Sequence, residues 1–103
     1  MSNILNIAHR GFTREFPDNT LEAFDAAIRI GADAIECDVH QTADHHFVVY
    51  HDPELLGRNI TTLTLPEIRG VKLEGRFNIP TLEETLELCR GKVGVLVELK
   101  QVR

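Results

Sequence analysis

Charged and polar groups cluster where apolar runs of this sequence end. His9-Arg10 follows the apolar run 4–8, Glu36 and Asp38 lie within the run 34–39, and Glu98 and Lys100 close the run 93–99. Read as strands of a parallel α/β fold, such runs present their C-terminal ends to one side, where sites of that architecture gather. Burying charge at a strand end is costly unless the charge has a partner. Three carboxylates converging from two strands repel one another unless a cation sits between them. All-oxygen ligands suit a hard divalent ion, Mg²⁺ or Ca²⁺, better than zinc. Each feature alone has a plainer explanation. A Glu-x-Asp pair commonly marks a solvent-facing edge, Glu98-x-Lys100 an ordinary surface pair, and His9 a turn. Their coincidence at strand ends favours the cation site.

The elements that must position these groups follow from periodicity and turn chemistry. The run 4–8 ends at His9-Arg10-Gly11, a strand followed by a glycine-assisted turn. Asn19 is expected to cap a helix, with Glu22 as capping-box partner, Leu21, Phe24 and Ile28 as its apolar stripe and Gly31 as its stop. Alternation over 34–39 puts Glu36 and Asp38 on one face and Ile35, Cys37 and Val39 on the other. Thr42-Ala43-Asp44-His45 reads as a turn and 47–51 as a β-forming run, too close in sequence for a helical crossover. An antiparallel hairpin is therefore expected, returning His51 toward Glu36 and Asp38. Residues 52–80 are irregular, apart from a short helix with a cap-like start at Thr64. Thr81-Leu82-Glu83-Glu84 is a capping box opening a helix with Leu82, Leu86 and Cys89 on its stripe and Gly91 at its end. A last buried strand follows over 93–99. The order is β-α-β-(hairpin)-α-β, an α/β chain with parallel strands. His40, His45 and His46 lie in or near the hairpin turn and are not expected to hold metal, and Cys37 reads as a small core residue.

Composition bounds the function classes. With 103 residues the chain is at most one small domain, and 43% hydrophobic with 26% charged residues is the balance of a folded protein. Eleven Lys+Arg against sixteen Asp+Glu give a formal charge of −5, which argues against nucleic acid as a partner. No apolar run approaches the roughly 20 residues of a membrane span. The first residues lack the basic and long apolar segments of a signal peptide. Two cysteines are too few for a disulfide scaffold, so reduced thiols and a cytoplasmic location are expected.

His9-Arg10-Gly11, Pro17-Asp18-Asn19-Thr20, Glu36-x-Asp38-Val39-x-x-Thr42-x-Asp44, His51-Asp52, Ile79-Pro80-Thr81-Leu82-Glu83-Glu84 and Glu98-Leu99-Lys100 occur in this order. In that order they resemble the glycerophosphodiester phosphodiesterases, over residues 7–100. The resemblance implies a TIM (β/α)8 barrel and hydrolysis of a small-molecule glycerophosphodiester to glycerol 3-phosphate and an alcohol. It also implies Glu36, Asp38 and Glu98 as ligands of the divalent cation, and His9 and His51 as the general acid and base. Arg10 and Lys100 would hold the phosphate, and Asn19 would support the site. In this family the substrate's glycerol 2-hydroxyl is the nucleophile, giving a cyclic phosphate that water opens. Charge on the phosphate oxygens and two proton transfers fit a cation, two basic side chains and two histidines.

Two departures from the family pattern are local. Asp18 replaces a commoner Glu, and His45 stands where the hairpin usually has Gly, so a non-glycine residue at positive φ is expected there. A third is length, because such a barrel takes about 250 residues. Residues 1–103 are therefore expected to be the N-terminal portion of one barrel domain: the first strands and helices with an inserted hairpin. Its inner face, including residues such as Ile7, Ile35 and Val95 or their neighbours, would lie open. Either the remaining barrel or a homo-oligomer would cover it. The competing readings are an inactive fragment or oligomerising half-barrel, and a phospholipase D-like or phosphoinositide-cleaving relative.

Overall fold

In the computed structural model, which describes residues 6–101, the chain is built around one central strand. That strand, β2 (Ala34–Gln41), is flanked in sequence by β1 (Ile7–His9) and helix α1 (Leu21–Arg29) on one side and by β3 (Phe47–Val49) on the other. Two small antiparallel ribbons follow, β4 (Glu54–Leu55) with β5 (Arg58–Asn59), and β6 (Lys72–Leu73) with β7 (Phe77–Asn78). Between them lie a 3-10 turn, Ile60–Thr62, and helix α2 (Leu65–Arg69). Helix α3 (Leu82–Cys89) and strand β8 (Gly94–Gln101) complete the described residues.

The expected β-α-β-(hairpin)-α-β order is present. β1 runs parallel to β2 with His9 beside Glu36, and β8 runs parallel along the other edge with Glu98 beside Asp38. β3 turns back antiparallel on β2, pairing Val39 with Val49. Because β8 occupies one edge of β2 along its length, β1 and β3 share the opposite edge in succession. The hairpin turn holds His45 at φ 66°, the left-handed conformation expected there. Residues 4 and 5 of the expected first strand lie outside the described residues.

The helices bury slightly different stripes from those expected. In α1 the buried side chains are Ala23, Phe24 and Ala27, with Ile28 packed against them and Leu21 only half-buried. The reason is the loop before the helix: Phe12 N–H donates to the Ala23 carbonyl at 2.9 Å. A Cβ on Gly11 would lie 2.7 Å from the Ala23 backbone. Only small residues allow the helix so close. Gly11, at φ 88°, also needs the left-handed region that glycine tolerates. In α3 the stripe is Leu82, Thr85 and Cys89, and Leu86 is exposed. Thr85 can be buried because its hydroxyl donates to the Thr81 carbonyl at 3.1 Å. Thr81 and Glu84 form the expected capping box, and Thr64 with Glu67 forms another on α2.

The main core lies between the sheet and the two longer helices. It joins Phe24 and Ala27 of α1, Ile35, Cys37 and Val39 of β2, Val49 of β3 and Cys89 of α3. The segment 52–80, which carries no strong periodicity, nevertheless builds a satellite core from Val48, Leu55, Ile60, Leu63, Ile68 and Ile79.

Two expectations about the sheet are corrected. The last strand is not buried: Leu96, Val97 and Leu99 are 49%, 44% and 53% exposed. Among the described residues no strand pairs its outer edge, and the helices cover only its beginning, where Val95 joins the core. Ile35 and Val95 also belong to the helix-covered face, with Ile35 fully buried. The open face carries Ile7, Glu36 and Leu96, because parallel pairing sets Ile35 beside Val95 and Glu36 beside Leu96.

Burial pushes the Cys37 thiol up to about 12, with Glu36 and Asp38 adding to the effect, and burial also raises Cys89. The reactive thiolate is therefore scarce in the native state. Alkylation by iodoacetamide at pH 8 should proceed only as fast as the protein opens, and mass spectrometry of quenched time points would measure it. Rapid native labelling of Cys37 would contradict the packing of β2 against α1.

Candidate active site

The site grows from the alternation of β2. Glu36 and Asp38 leave the strand on the face opposite Cys37, and the parallel register of β8 sets Glu98 directly beside Asp38. One carboxylate oxygen from each of Glu36, Asp38 and Glu98 lies within 4.8 Å of the others. Asp38 is the fully buried member, Glu36 is half-buried and Glu98 is exposed.

One amide and two cations hold Asp38. Asn19 Nδ2 donates to Asp38 Oδ2 at 2.9 Å, while the Asp38 backbone N–H donates to Asn19 Oδ1 at 3.2 Å. Arg10 Nε lies 3.1 Å from Oδ2, and Lys100 Nζ lies 3.7 Å from Oδ1. Asn19 itself is buried and left-handed, at φ 57°. That corrects its expected role as helix cap: Thr20 caps α1, its hydroxyl accepting from Ala23 N–H at 3.1 Å. Asn19 is thereby released to turn inward onto Asp38. Arg10 is left-handed too, at φ 60°, with its N–H donating to the Glu36 carbonyl at 2.8 Å and its guanidinium 3.3 Å from Asp18. Non-glycine residues in this region are uncommon and gather at functional sites.

The remaining expected residues divide. His9 Nε2 lies 3.5 Å from Glu36 Oε1, and Lys100 Nζ donates to Glu98 Oε1 at 2.8 Å. His51 sits just past β3, its ring Nδ1 2.9 Å from Asp52 Oδ1, and it shares no ion pair with the three carboxylates. The hairpin does return the chain to them, because Tyr50 N–H donates to the Asp38 carbonyl at 2.9 Å. His40, which is not expected to hold metal, is buried on the same face as Asp38. Its two ring nitrogens contact the His51 carbonyl and the Gln101 amide. Strand alternation from Glu36 and Asp38 to His40 was the signal for it.

The electrostatics follow from burial and crowding. Desolvation raises the Glu36 carboxyl above its ordinary value, Asp38 and Glu98 push the same way, and His9 opposes them. Lys100 is raised, first by its hydrogen bond to Glu98 and also by the charges of Glu98 and Asp38. Burial lowers His40, favouring its neutral ring. Glu36 Oε1 and Asp38 Oδ1 are buried without a hydrogen-bond donor. Two buried acceptors without donors, on residues of one all-oxygen cluster, fit a hard divalent cation.

Comparison with known proteins matches residues 9–103 to the glycerophosphoryl diester phosphodiesterase family. The chain belongs to that family. A glycerophosphodiester phosphodiesterase of Caldanaerobacter subterraneus subsp. tengcongensis is 43% identical, covering 85% of this chain and 41% of its own. The crystal structure of a glycerophosphodiester phosphodiesterase from Parabacteroides distasonis superposes with TM-score 0.86 at 35% identity, over 96% of this chain and 43% of that one. A phosphodiesterase of Oleispira antarctica, solved in complex with the product sn-glycerol-3-phosphate, gives TM-score 0.87 at 29% identity, over 96% and 45%. The chain thus spans less than half the length of these relatives, and its sheet and helices are a partial α/β portion of the family's TIM barrel. No helix among the described residues of this family member is long and apolar enough to cross a membrane.

The raised Glu36 carboxyl has a definite sign in stability. A group that holds its proton more tightly when folded stabilises the native state at low pH, and that contribution is lost as pH rises through the folded value. In EDTA, Glu36→Gln should therefore melt above the wild type at pH 7, with the difference closing as pH falls through the ordinary carboxylate range. Added Mg²⁺ or Ca²⁺ should raise the wild-type melting temperature and move the variant less. A variant that is less stable at pH 7 and equally responsive to cation would refute both the crowding and the ligand role.

Proposed function

We propose that the protein is a metal-dependent phosphodiesterase that hydrolyses glycerophosphodiesters to sn-glycerol 3-phosphate and an alcohol. In this reading residues 1–103 are the N-terminal portion of its single barrel domain. The observation that carries it is the convergence of Glu36, Asp38 and Glu98 on one point, with Arg10 and Lys100 beside them. Glu36, Asp38 and Glu98 would hold Mg²⁺ or Ca²⁺, which when bound would neutralise developing charge on the phosphate oxygens. Family membership supports the substrate class, as does the sn-glycerol-3-phosphate bound by the Oleispira antarctica relative.

The side chains divide the work. Arg10 and Lys100 bring positive charge to the mouth of the carboxylate cluster, where a phosphodiester anion would otherwise be repelled. Their own pairing with Asp38 fixes them in advance, so little reorganisation accompanies substrate binding. Cleavage needs one proton taken from the attacking glycerol 2-hydroxyl and one delivered to the leaving alcohol oxygen; opening the cyclic phosphate with water reverses the two roles. His9 and His51 carry these transfers. Asp52 engages His51 Nδ1, which leaves Nε2 as the nitrogen that exchanges a proton with substrate. Asn19 keeps the Asp38 carboxylate from rotating. The two free, buried cysteines fit a reducing, cytoplasmic setting.

In the full-length protein, with glycerophosphocholine and Mg²⁺, His51→Ala should lower turnover by a factor on the order of 10²–10⁴ while leaving cation binding and the melting temperature nearly unchanged. A His51→Ala variant with near-normal turnover would remove the residue from the mechanism.

The exposed apolar side chains of β8 bear on how the chain behaves alone. With Leu96, Val97 and Leu99 exposed beside an unpaired edge, the isolated 103 residues should associate in a concentration-dependent way and turn over substrate poorly. Sedimentation velocity across a dilution series, paired with an assay of each sample, measures both. A monomer with turnover like that of the longer relatives would overturn this expectation.

A further inference from the structure

His40 is the one buried histidine on the carboxylate face of β2, 1% exposed and two residues beyond Asp38. It does not join the group of possible metal ligands, and both of its ring nitrogens are engaged. Gln101 Nε2, an amide donor, lies 2.9 Å from His40 Nδ1. A nitrogen that accepts from an amide carries no proton, so the ring proton resides on Nε2. That nitrogen lies 3.1 Å from the His51 carbonyl, an acceptor only. The three groups therefore form a directed chain: Gln101 amide to His40 Nδ1, then His40 Nε2–H to the His51 main chain.

Strand register explains how Gln101 reaches that place. Leu99 pairs with Val39, but His40 pairs with Gln101, so Lys100 is an extra residue in β8. In a regular ladder Lys100 would stand beside His40 and Gln101 would point to the helix side. The irregularity puts both toward the site, Lys100 reaching Glu98 and Asp38 and Gln101 reaching His40. Bulges commonly re-aim side chains beside active sites. β3 ends at Val49, and the last ladder-like bond comes from Tyr50, so His51 stands where the sheet no longer fixes the chain.

We propose that His40, held in one tautomer by Gln101, is a positioning residue that fixes the main chain of His51 against the carboxylate site. This rests on the assignment of His51 to proton transfer. The test begins with a long-range ¹H–¹⁵N spectrum of the labelled chain at pH 7.5, which should show His40 protonated on Nε2 and Gln101→Leu giving mixed tautomers. In the glycerophosphocholine assay of the full-length protein, His40→Met should lower kcat on the order of 10²-fold with little change in KM, the usual cost of a small misplacement. His40→Gln, which retains an N–H near the Nε2 position, should recover much of that loss although it melts no higher than His40→Met. The His51 ring resonances should move in His40→Met and stay close to wild type in His40→Gln. A wild-type ring protonated on Nδ1, an unaltered kcat in His40→Met, or unmoved His51 resonances in that variant would overturn the proposal. If the full-length wild-type protein shows no turnover, the phosphodiesterase reading fails, while the tautomer and the His51 resonances still decide the role of His40.

Discussion

A buried carboxylate, Asp38, sets the terms for the surrounding structure. A charge with no exposed surface in the middle of a sheet is tolerated only when several donors surround it, and removing one partner of such a buried pair typically costs about 3–5 kcal/mol. Here the partners come from three separate parts of the chain: the hydrogen-bonding Asn19 before α1 and two cations, Arg10 after β1 and Lys100 on β8. Satisfying Asp38 therefore ties together the strand ends that the parallel sheet merely brings close. The two residues before α1 that point inward, Arg10 and Asn19, both adopt left-handed backbone. Strain in that segment is offset by the hydrogen bonds and ion pairs it permits.

The same strand has two faces with opposite demands. Ile35, Cys37 and Val39 are sealed by α1 and α3, which fixes the strand rigidly. Glu36, Asp38 and His40 on the other face inherit that rigidity without needing apolar contacts of their own. Glu36 Oε1 and Asp38 Oδ1 remain without hydrogen-bond donors, and the carboxyl of Glu36 is raised by burial and by its neighbours. A cation would relieve both effects at once. Stability and site chemistry thus pull against each other on one face, and the helix-covered face supplies the stability.

Much of this was legible in the sequence because alternation and strand-end charge are local signals. Glu36 and Asp38 on one face, Glu98 beside them, the parallel pairing, the hairpin at Thr42-Ala43-Asp44-His45 and the capping box at Thr81 all follow from nearest-neighbour rules. What was not legible depended on contacts between distant segments. Asn19 and Thr20 are both good caps, and only the reach of Asn19 to Asp38, nineteen residues away, decides between them. The apolar stripe of α1 shifts toward Ala23 and Ala27 because the Gly11-Phe12 loop lies on it. The satellite core of residues 52–80 has too short a period in any one element to announce itself, and the exposure of β8 reflects what lies beside a strand rather than what is in it.

The irregularity at Lys100 bears on how such a site keeps two cationic and amide functions on one strand. Strict alternation allows only every second residue to face the carboxylates, so a strand ending Glu98-Leu99-Lys100-Gln101 would offer Glu98 and Lys100 and turn Gln101 away. One extra residue converts that pattern into Glu98, Lys100 and Gln101 on the same side, at the cost of one local break in the ladder. The break falls after Leu99, where the apolar partner of Val39 has already been placed, so the helix-covered core is undisturbed. Placed two residues earlier, the same insertion would turn Leu99 toward the carboxylates and Lys100 to the face of Val39. The position of the irregularity is therefore constrained from both sides: it must come after Glu98 and Leu99 have taken opposite faces and before the residue that meets His40.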